Sequence, residues 1–473
     1  MEVAMLVRVL RHYVPVSLVA LGAIEASVFG AAMYLGVAIR FDGFQLDPES
    51  AAQVFPIFPK ALVFAIVMLV AMTTFGLYQR EHQHGDWAYY VRCTLSFLAG
   101  LLLMALVFYL VPSLSLGRGA FAFTLVFAFI GHITARFIFL RLADHDAFRR
   151  RVMVLGTGSR AAKVAELARV NGNSEKFEVV GFLPVNGTTS GVEESMILRE
   201  NGSSLQAIAA KYQIDEIVVG VRQRRGGDMP MNELLERKLH GTNVIDLPTF
   251  FERETGRVEL ESVNPSWLIF SDGFRTGTIK NMGKRCFDVV LSGLLLLITL
   301  PIMALTALAI WLESGGPVLY RQQRTGAFSR PFELLKFRSM HVNAEADGEP
   351  RWATENDERC TRVGRAIRKL RFDELPQLVN VLKGDMSFVG PRPERPSFVT
   401  SLAKQINYYS FRHTVKPGIT GWAQVRYPYG ASVDDAKEKL QYDLYYIKNQ
   451  SLFLDVIILA QTAHIVVFGK GAR

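Results

Sequence analysis

The sequence predicts a membrane protein of mixed α + α/β class: transmembrane helices, then a Rossmann-like parallel α/β domain, then a C-terminal monotopic domain. Hydrophobic residues make up 50% of the 473 positions, which exceeds the usual share in soluble domains. Four long apolar runs open the chain, and a fifth lies at Phe287 to Trp311. Between them, short β-branched runs alternate with helical ones, as in a parallel sheet covered by helices.

The four N-terminal runs are each long enough to cross about 30 Å of hydrocarbon as a helix, so residues 1–150 are predicted to form a transmembrane domain. The runs are Val14 to Ile39, Ala61 to Tyr78, Cys93 to Val111 and Gly119 to Leu140. Arginines cluster before the first run, between the second and third, and after the fourth, which places both ends of this domain in the cytoplasm. These are Arg8, Arg11, Arg80, Arg92, Arg141, Arg149, Arg150 and Arg151.

Two charged residues, Glu25 and Arg136, fall inside or at the edge of the apolar runs. A charge within a bilayer is costly unless it faces a partner. We predict a helix–helix contact there, with a proton or ion path as the alternative.

Residues 151–262 are predicted to form the Rossmann-like domain, followed by a linker over residues 263–283. The predicted strands lie at 152–155, 178–183, 216–221 and 243–247. Gly156 and Gly158 belong to a GxGxxA turn after the first strand, which would let a diphosphate approach a helix N-terminus. The same glycines would equally serve a tight turn alone, and no acid ends the second strand for NAD, so a nucleotide site here stays open.

The fifth apolar run is predicted to be a re-entrant helix at residues 287–311, within a C-terminal domain over residues 284–473. Basic residues flank it on both sides, which predicts that both of its ends lie on the cytoplasmic face. Pro301 lies in the middle, where it removes an amide donor and bends a helix. A proline-kinked spanning helix is the alternative. Near the end, Tyr442 to Lys448 and Leu452 to Phe468 are predicted to be interfacial amphipathic helices.

The net charge and the cysteine spacing indicate which kinds of partner and site the protein has. Lys plus Arg total 53 against 44 acids, a net charge of +9, which suits anionic lipid and phosphorylated substrates. No RNA-binding or helix-turn-helix pattern stands out, so nucleic acid is not an expected partner. The 3 cysteines have no metal-ligand spacing, which supports neither a zinc site nor a disulfide framework. The N-terminus lacks the pattern of a cleavable signal peptide.

Adjacent carboxylates, Asp373 and Glu374, are the strongest candidates for chemistry. They stand before an apolar run, Leu375 to Leu382, that Gly384 is suited to end, and Pro376 fits the first turn of a helix. The dyad should therefore lie at a helix N-terminus, where free amides attract phosphate. Cations surround it in the sequence: Arg365, Arg368, Lys369, Arg371, Arg392 and Arg395. One carboxylate could hold a divalent metal while the other attacks phosphorus.

The stretch around the dyad resembles the signature of bacterial polyprenyl-phosphate sugar-phosphate transferases, the monotopic phosphoglycosyl transferases. The resemblance rests on several blocks in the family's order and covers the chain from Lys284 onward. The blocks are KFRSM at 336–340, KLRFDELPQLVNVLKGDMSFVGPRPERP at 369–396 and KPGITGWAQV at 416–425. The membrane and Rossmann-like segments before them resemble those of the family's large members, and the family also implies a re-entrant helix with its proline at the bend.

The resemblance implies a reaction in which Asp373 attacks the sugar-bearing phosphate of a UDP-hexose and releases UMP. Undecaprenyl phosphate then takes the sugar phosphate from the aspartate. Glu374 would hold Mg²⁺, Arg368 would bind the lipid phosphate and Arg392 would help bind the nucleotide sugar. Further substrate-binding candidates are Pro391, Pro393, Lys336, Arg338, Lys416, Gln424 and Arg426. We expect a homodimer in the bacterial inner membrane, beside anionic lipid, with its catalytic domain on the cytoplasmic face.

Two segments depart from the family pattern and leave the sugar open. Arg426 to Tyr429 stands where an Asn-Gly is frequent, and Asn356 to Thr361 replaces a commoner Asp-Pro-Arg-Val-Thr. Since large members mostly handle glucose or galactose, we expect a hexose 1-phosphate and a role in starting exopolysaccharide, capsule or O-antigen synthesis.

Two other functions are alternatives to this transfer. A membrane-anchored nucleotide-sugar dehydratase or epimerase would need a Tyr-x-x-x-Lys relay, but Tyr212, the tyrosine within 151–262, has Glu216 four positions later. A non-catalytic scaffold for polysaccharide assembly would show no turnover with any UDP-sugar.

Overall fold

The structure is a computed structural model that describes most of the chain. It covers residues 6–9, 12–43, 45, 47–48, 51, 54–78, 87–142, 149–170, 177–185, 191–199, 203–221, 229–263, 265–271, 273–274, 277–342, 344, 359–427, 430 and 432–468. These residues fall into two compact units. The first is drawn from Met1–Val9, Tyr13–Ala71 and Cys93–Ile269, and the second from Leu10–His12, Met72–Arg92 and Phe270–Arg473.

Long apolar helices occupy the N-terminal part of the chain, as predicted. A two-stranded sheet of β1 (Leu6–Val9) and β2 (His12–Pro15) precedes α1 (Val16–Arg40), α2 (Ile57–Thr74), α3 (Trp87–Leu110) and α4 (Arg118–Leu142). Within the described residues, these and one later helix make 5 that are long and apolar enough to cross a membrane. Arg11 and Arg80, used in the charge argument, lie outside the described residues.

Glu25 on α1 and Arg136 on α4 form a buried ion pair between the two helices. Arg136 Nε donates to Glu25 Oε1 at 2.7 Å, and the residues are 5% and 0% exposed. His132, one turn before Arg136, places Nδ1 3.1 Å from the same oxygen. The predicted helix–helix contact is confirmed, because each charge has a partner inside the bundle.

A parallel sheet follows the membrane helices. Its described strands are β3 (Arg150–Leu155), β4 (Phe177–Leu183), β5 (Glu216–Val219) and β6 (Asn243–Asp246), in the order β4-β3-β5-β6. The helices of this region are α5 (Ser159–Val170), α6 (Leu205–Lys211), α7 (Met231–Leu239), α8 (Leu247–Thr255) and α9 (Pro265–Phe270). Alternate residues of β3 enter two apolar cores, Val152 and Val154 in one with Phe250, and Met153 and Leu155 in the other. The predicted sheet with covering helices is confirmed.

Helix α10 (Thr278–Ser314) opens the main part of the second unit. It runs for 37 residues, contains Pro301, and buries only 11% of its most apolar window. The remaining elements are β7 (Leu319–Thr325), β8 (Pro331–Phe337), α11 (Arg362–Lys369), α12 (Gln377–Lys383), β9 (Ser387–Val389), α13 (Pro396–Gln405), β10 (Gly418–Thr420), α14 (Trp422–Arg426), α15 (Val433–Asn449) and α16 (Leu452–Phe468).

One membrane prediction in this unit is wrong. Tyr442 to Lys448 lies on α15, and every side chain after Tyr442 in this stretch is buried within the unit rather than exposed to a membrane surface. Leu444, Tyr445 and Tyr446 are each at most 1% exposed. The ring of Tyr445 stacks on Trp422, so aromatic residues that suit an interface also serve a protein core.

Candidate active site

The Asp373–Glu374 dyad lies on a short 3-10 turn, Phe372–Glu374, directly before α12. Pro376 occupies the N-cap of α12, and Gly384 ends that helix with φ 96°. The predicted helix between a proline and a glycine is therefore confirmed. Helix α11 does not continue into the dyad, because Arg371 turns the chain with φ 60°.

Glu374 is held by cations from two separate segments. Its Oε1 accepts hydrogen bonds from Lys336 Nζ of β8 at 3.0 Å and from Arg392 Nη2 at 2.9 Å. Burial raises the pKa of Glu374, but Lys336, Arg392 and Arg371 outweigh burial and hold that pKa well below its usual range. Glu374 is therefore an anion at neutral pH.

Asp373 differs from its neighbour in acidity. It is 8% exposed, and burial raises the pKa of its carboxyl, opposed by Lys336 and reinforced by the charge of Glu374. Adjacent carboxyls with separated pKa values can take separate roles. Asp373 is the more basic of the two and therefore the better nucleophile once ionised.

Both carboxyls line a cavity of about 1150 Å³ in the second unit. Its cationic lining residues are Arg324, Lys336, Arg338, Arg359, Arg368, Arg371, Arg392, Arg395, Arg412, Arg426 and Lys439. Its acidic lining residues are Asp373, Glu374, Glu394 and Asp443. The excess of positive charge suits a ligand with several phosphate charges. Leu295 and Thr299 of α10 also line the cavity, so it reaches the long apolar helix.

The cavity brings together most of the predicted site residues. Besides the dyad, these are Lys336, Arg338, Arg368, Arg392, Gln424 and Arg426. Arg338 has a second task, since its Nη2 donates to the carbonyls of Ser314 at 3.1 Å and Gly315 at 2.7 Å. It thereby caps the C-terminus of α10.

Three predicted residues lie beside the cavity lining. Pro391 and Pro393 flank Arg392, and the Pro391 carbonyl accepts from the Gly418 N–H at 2.9 Å. Lys416 lies near the C-terminus of α12, with its Nζ 3.5 Å from where a Cβ on Gly384 would stand. All three stand outside the lining of the cavity, and their part in substrate binding stays a prediction.

The Gly-Pro-Arg-Pro and Lys-Pro-Gly segments are joined backbone to backbone. Strands β9 and β10 pair in parallel, with Ser387 opposite Gly418. A Cβ on Gly418 would lie 2.1 Å from the Gly390 nitrogen, so no side chain fits at this crossing. The crossing fixes the turn that presents Arg392.

Sequence reasoning did not select Arg412 and Asp443 as site residues. Arg412 Nη2 donates to the Arg392 carbonyl at 3.0 Å and lies 2.9 Å from Asp443 Oδ2. The pair is buried at 6% and 1% exposure, and burial raises the pKa of Asp443 to about 6 despite Arg412. No local pattern marks them, because their partners lie elsewhere in the chain.

The two carboxyls of the dyad offer oxygen ligands of the kind that the expected Mg²⁺ takes. Carboxylate oxygens are ligands that Mg²⁺ prefers, and Mg²⁺ commonly combines one or two carboxylates with phosphate oxygens and water. Among the described residues, no group of three or more His, Cys, Asp or Glu could hold a metal ion. The dyad would supply carboxylate ligands to such an ion, and the Mg²⁺ site stays a prediction.

The glycine turn of the first unit is packed by its own chain. The Gly156 N–H donates to the Leu183 carbonyl at 2.8 Å, and the Gly191 N–H donates to Thr157 at 2.7 Å. A Cβ on Gly191 would lie 3.2 Å from the Ser159 nitrogen, so Gly191 covers the first amide of α5. A diphosphate would have to displace it, and a cofactor at Gly156 and Gly158 stays a prediction.

Comparison with known proteins gives a family for the second unit. The family model described as bacterial sugar transferase matches residues 279–469. A UDP-N-acetylgalactosamine-undecaprenyl-phosphate N-acetylgalactosaminephosphotransferase of Aeromonas hydrophila is 46% identical over 222 residues, which is 47% of this chain and 52% of that protein.

Two further relatives extend the comparison. An undecaprenyl-phosphate glucose phosphotransferase of Komagataeibacter xylinus is 35% identical over 330 residues, which is 68% of this chain and 60% of that protein. A UDP-glucose:undecaprenyl-phosphate glucose-1-phosphate transferase of Caulobacter vibrioides is 42% identical over 184 residues, which is 38% of this chain and 68% of that protein. The chain thus spans between half and two thirds of the length of the Aeromonas and Komagataeibacter proteins. The matched blocks include the dyad and its cavity, and the chain belongs to the bacterial sugar transferase family.

Proposed function

We propose that the chain transfers a hexose 1-phosphate from a UDP-sugar to undecaprenyl phosphate through a covalent sugar-phosphoryl aspartate at Asp373, with release of UMP. The observation that carries the proposal is the Asp373–Glu374 dyad in a cation-rich cavity that reaches α10. The names of the relatives, which are transferases to undecaprenyl phosphate, support both substrates.

In the first step, an Asp373 carboxylate oxygen attacks the phosphorus that bears the sugar. The bond from that phosphorus to the bridging oxygen breaks, and UMP leaves with the electron pair. Lys336 and Arg392 already pair with Glu374 in the free protein. Their charges are therefore in place before the substrate binds, and preorganised cations stabilise the charge that develops during phosphoryl transfer.

In the second step, a phosphate oxygen of undecaprenyl phosphate attacks the same phosphorus. The bond to Asp373 breaks, the carboxylate is restored, and a lipid diphosphate sugar forms. Arg368 is proposed to bind the lipid phosphate, because it lines the cavity on α11. Its Nη1 lies 2.8 Å from Cys360 Sγ, which holds the guanidinium in place.

Glu374 would hold Mg²⁺ together with the diphosphate of the donor. A bound Mg²⁺ neutralises charge on the phosphoryl oxygens. The chain's own part is to keep Glu374 ionised, which Lys336 and Arg392 do from either side.

The site is proposed to lie on the cytoplasmic face of the inner membrane, beside a re-entrant α10. Both ends of α10 contact the same unit. Asp288 Oδ1 accepts from the Phe388 N–H at 3.0 Å, and Ile310 packs with Phe337 and Ile367. The two contacts are about 33 Å apart along a straight helix. If α10 crossed the membrane, they would lie on opposite sides of a hydrocarbon layer of about 30 Å. Because both contacts are made with the same unit, a re-entrant helix fits better than a crossing one.

The middle of α10 supports the same arrangement. Leu297 and Leu305, on either side of Pro301, are 71% and 67% exposed and suit contact with lipid. Pro301 lacks the amide that would bond one turn back, which favours a bend there. Two further parts of the proposal are that anionic lipid lies beside this face and that the protein is a homodimer. Light scattering of the protein in nanodiscs would measure the dimer.

The sugar is the least constrained part of the proposal. Glucose and galactose stay the expected hexoses, while the Aeromonas relative is named for an N-acetylhexosamine. Residues 356–358 and 428–429 of the departing segments lie outside the described residues. A role in starting exopolysaccharide, capsule or O-antigen synthesis follows from the proposed product.

The test is a panel of UDP-sugars with undecaprenyl phosphate and Mg²⁺ in nanodiscs, read out as UMP formed. We expect one sugar to be preferred, no UMP from Asp373→Asn, and a severe loss with weakened Mg²⁺ dependence in Glu374→Gln. Full activity of Asp373→Asn would refute the mechanism. No turnover with any UDP-sugar would favour the scaffold function instead.

A further inference from the structure

Asn380 joins the dyad helix to the strand that carries Lys336. Its side chain, on α12, accepts a hydrogen bond from the Leu335 N–H at 3.0 Å and donates one to the Glu333 carbonyl at 2.7 Å. Asn380 is 1% exposed. Both bonds are therefore shielded from water and costly to lose.

The two bonds occupy the free edge of a hairpin. Strand β8 pairs with β7 in antiparallel register, with Leu335 opposite Arg321 and Glu333 opposite Gln323. Along such a strand, alternate residues direct N–H and C=O groups away from the partner strand. The Asn380 amide accepts from Leu335 and donates to Glu333, two alternate residues of β8. It thereby makes the hydrogen bonds that a neighbouring strand would make at that edge.

The position of β8 against α12 determines where the Lys336 side chain lies. Successive side chains of a strand point to opposite faces, so Leu334 and Lys336 share one face of β8. Leu334 packs on Val381 of α12, and Lys336 reaches Glu374 Oε1 at 3.0 Å. A slip of one residue would turn Lys336 to the other face.

We propose that Asn380 is a positioning residue, which locks β8 against α12 so that the Lys336 ammonium stands at Glu374 when the donor binds. The proposal rests on the proposed function, because it assigns a part of the donor half-reaction. Asn380 stands outside the cavity lining and acts through Lys336.

The experiment is a double-mutant cycle on the donor half-reaction. The rate is measured as exchange of labelled UMP into UDP-sugar by the full-length protein in nanodiscs, which needs no lipid acceptor. Asn380→Asp keeps the shape of the side chain and the oxygen that accepts from Leu335, but it removes the amide N–H that donates to the Glu333 carbonyl. We expect it to slow exchange about 30-fold, since a misplaced catalytic group commonly costs up to about 100-fold. In the Lys336→Met background the same change should cost less than about 3-fold, because the group it positions is gone.

A matched control separates positioning from general destabilisation. Asn449 is also buried in the same unit, and its amide donates at 3.2 Å to the Tyr445 carbonyl of its own helix, α15. Asn449→Ala should have the same fractional effect with or without Lys336. Thermal melts report folding, and Asn380→Ser replaces Asn380→Asp in the cycle if the latter does not fold.

The outcomes are distinguishable. A loss from Asn380→Asp that largely disappears in Lys336→Met supports the proposal. Equal fractional losses in both backgrounds, or an unchanged rate in folded Asn380→Asp, overturn it while leaving the proposed function intact. Absence of exchange by the native protein with every UDP-sugar refutes the function and the inference together.

Discussion

Replacing Lys336 by Met should weaken the donor half-reaction and shift its pH dependence. The change keeps the aliphatic stem and removes the ammonium that lies 3.0 Å from Glu374 Oε1. The two side chains are only 20% and 12% exposed, so water screens the pair incompletely. A hydrogen bond to a charged group contributes about 1.5–3 kcal/mol, which corresponds to a fall of about 10-fold to about 150-fold in kcat/KM.

The pH dependence gives a second, independent readout. After burial, Lys336 has the largest effect on the pKa of both dyad carboxyls, and it lowers both. Without Lys336 both pKa values rise, and Asp373, whose pKa is the higher of the two, is protonated first as the medium is acidified. The acid limb of kcat/KM for the UDP-sugar should move upward in pH.

Initial rates of UMP release between pH 4 and 9 would measure both effects. Lys404→Met is the matched control, because Lys404 is an exposed lysine of the same unit, and we expect wild-type behaviour from it. An unchanged kcat/KM together with an unchanged acid limb in Lys336→Met would refute the assignment of Lys336 to the dyad.

Three other predictions follow from the structure. UMP release by the native protein should fall as pH drops through the raised pKa of Asp373, because its carboxylate form attacks; an acid limb at or below the ordinary pKa of an aspartate would contradict this. Gly418→Ala should destabilise the second unit by about 3 kcal/mol, seen as a lower Tm, because its Cβ would lie 2.1 Å from the Gly390 nitrogen; Gly283→Ala, which meets nothing within 4 Å, should not. Glu25→Leu should lower the melting temperature in detergent by leaving Arg136 without its 2.7 Å partner, and adding Arg136→Leu should recover part of that loss.

The sequence sufficed for elements whose signals are local. Pro376 and Gly384 bound the helix after the dyad, and β-branched runs mark the strands of the parallel sheet. Lys336 and Arg392 both bond to Glu374. Both belong to the sequence blocks that carry the family resemblance, one before the dyad in the chain and one after it.

Features that depend on distant partners could not be predicted in the same way. Tyr442 to Lys448 has the composition of an interfacial helix, but Trp422 and Arg412 supply partners that draw it into the core. Asn380 looks like an ordinary polar residue in a helix until β8 is placed beside it. Their roles follow from tertiary contacts that residue spacing does not encode.

The most direct test of the covalent mechanism is mass spectrometry of the acid-quenched full-length protein after incubation with the preferred UDP-sugar and Mg²⁺, without undecaprenyl phosphate. We expect a mass increase of one sugar phosphate on the peptide that contains Asp373, lost on addition of undecaprenyl phosphate and absent in Asp373→Asn. Turnover to the lipid product with no adduct at any time, or an adduct on another residue, would contradict the mechanism.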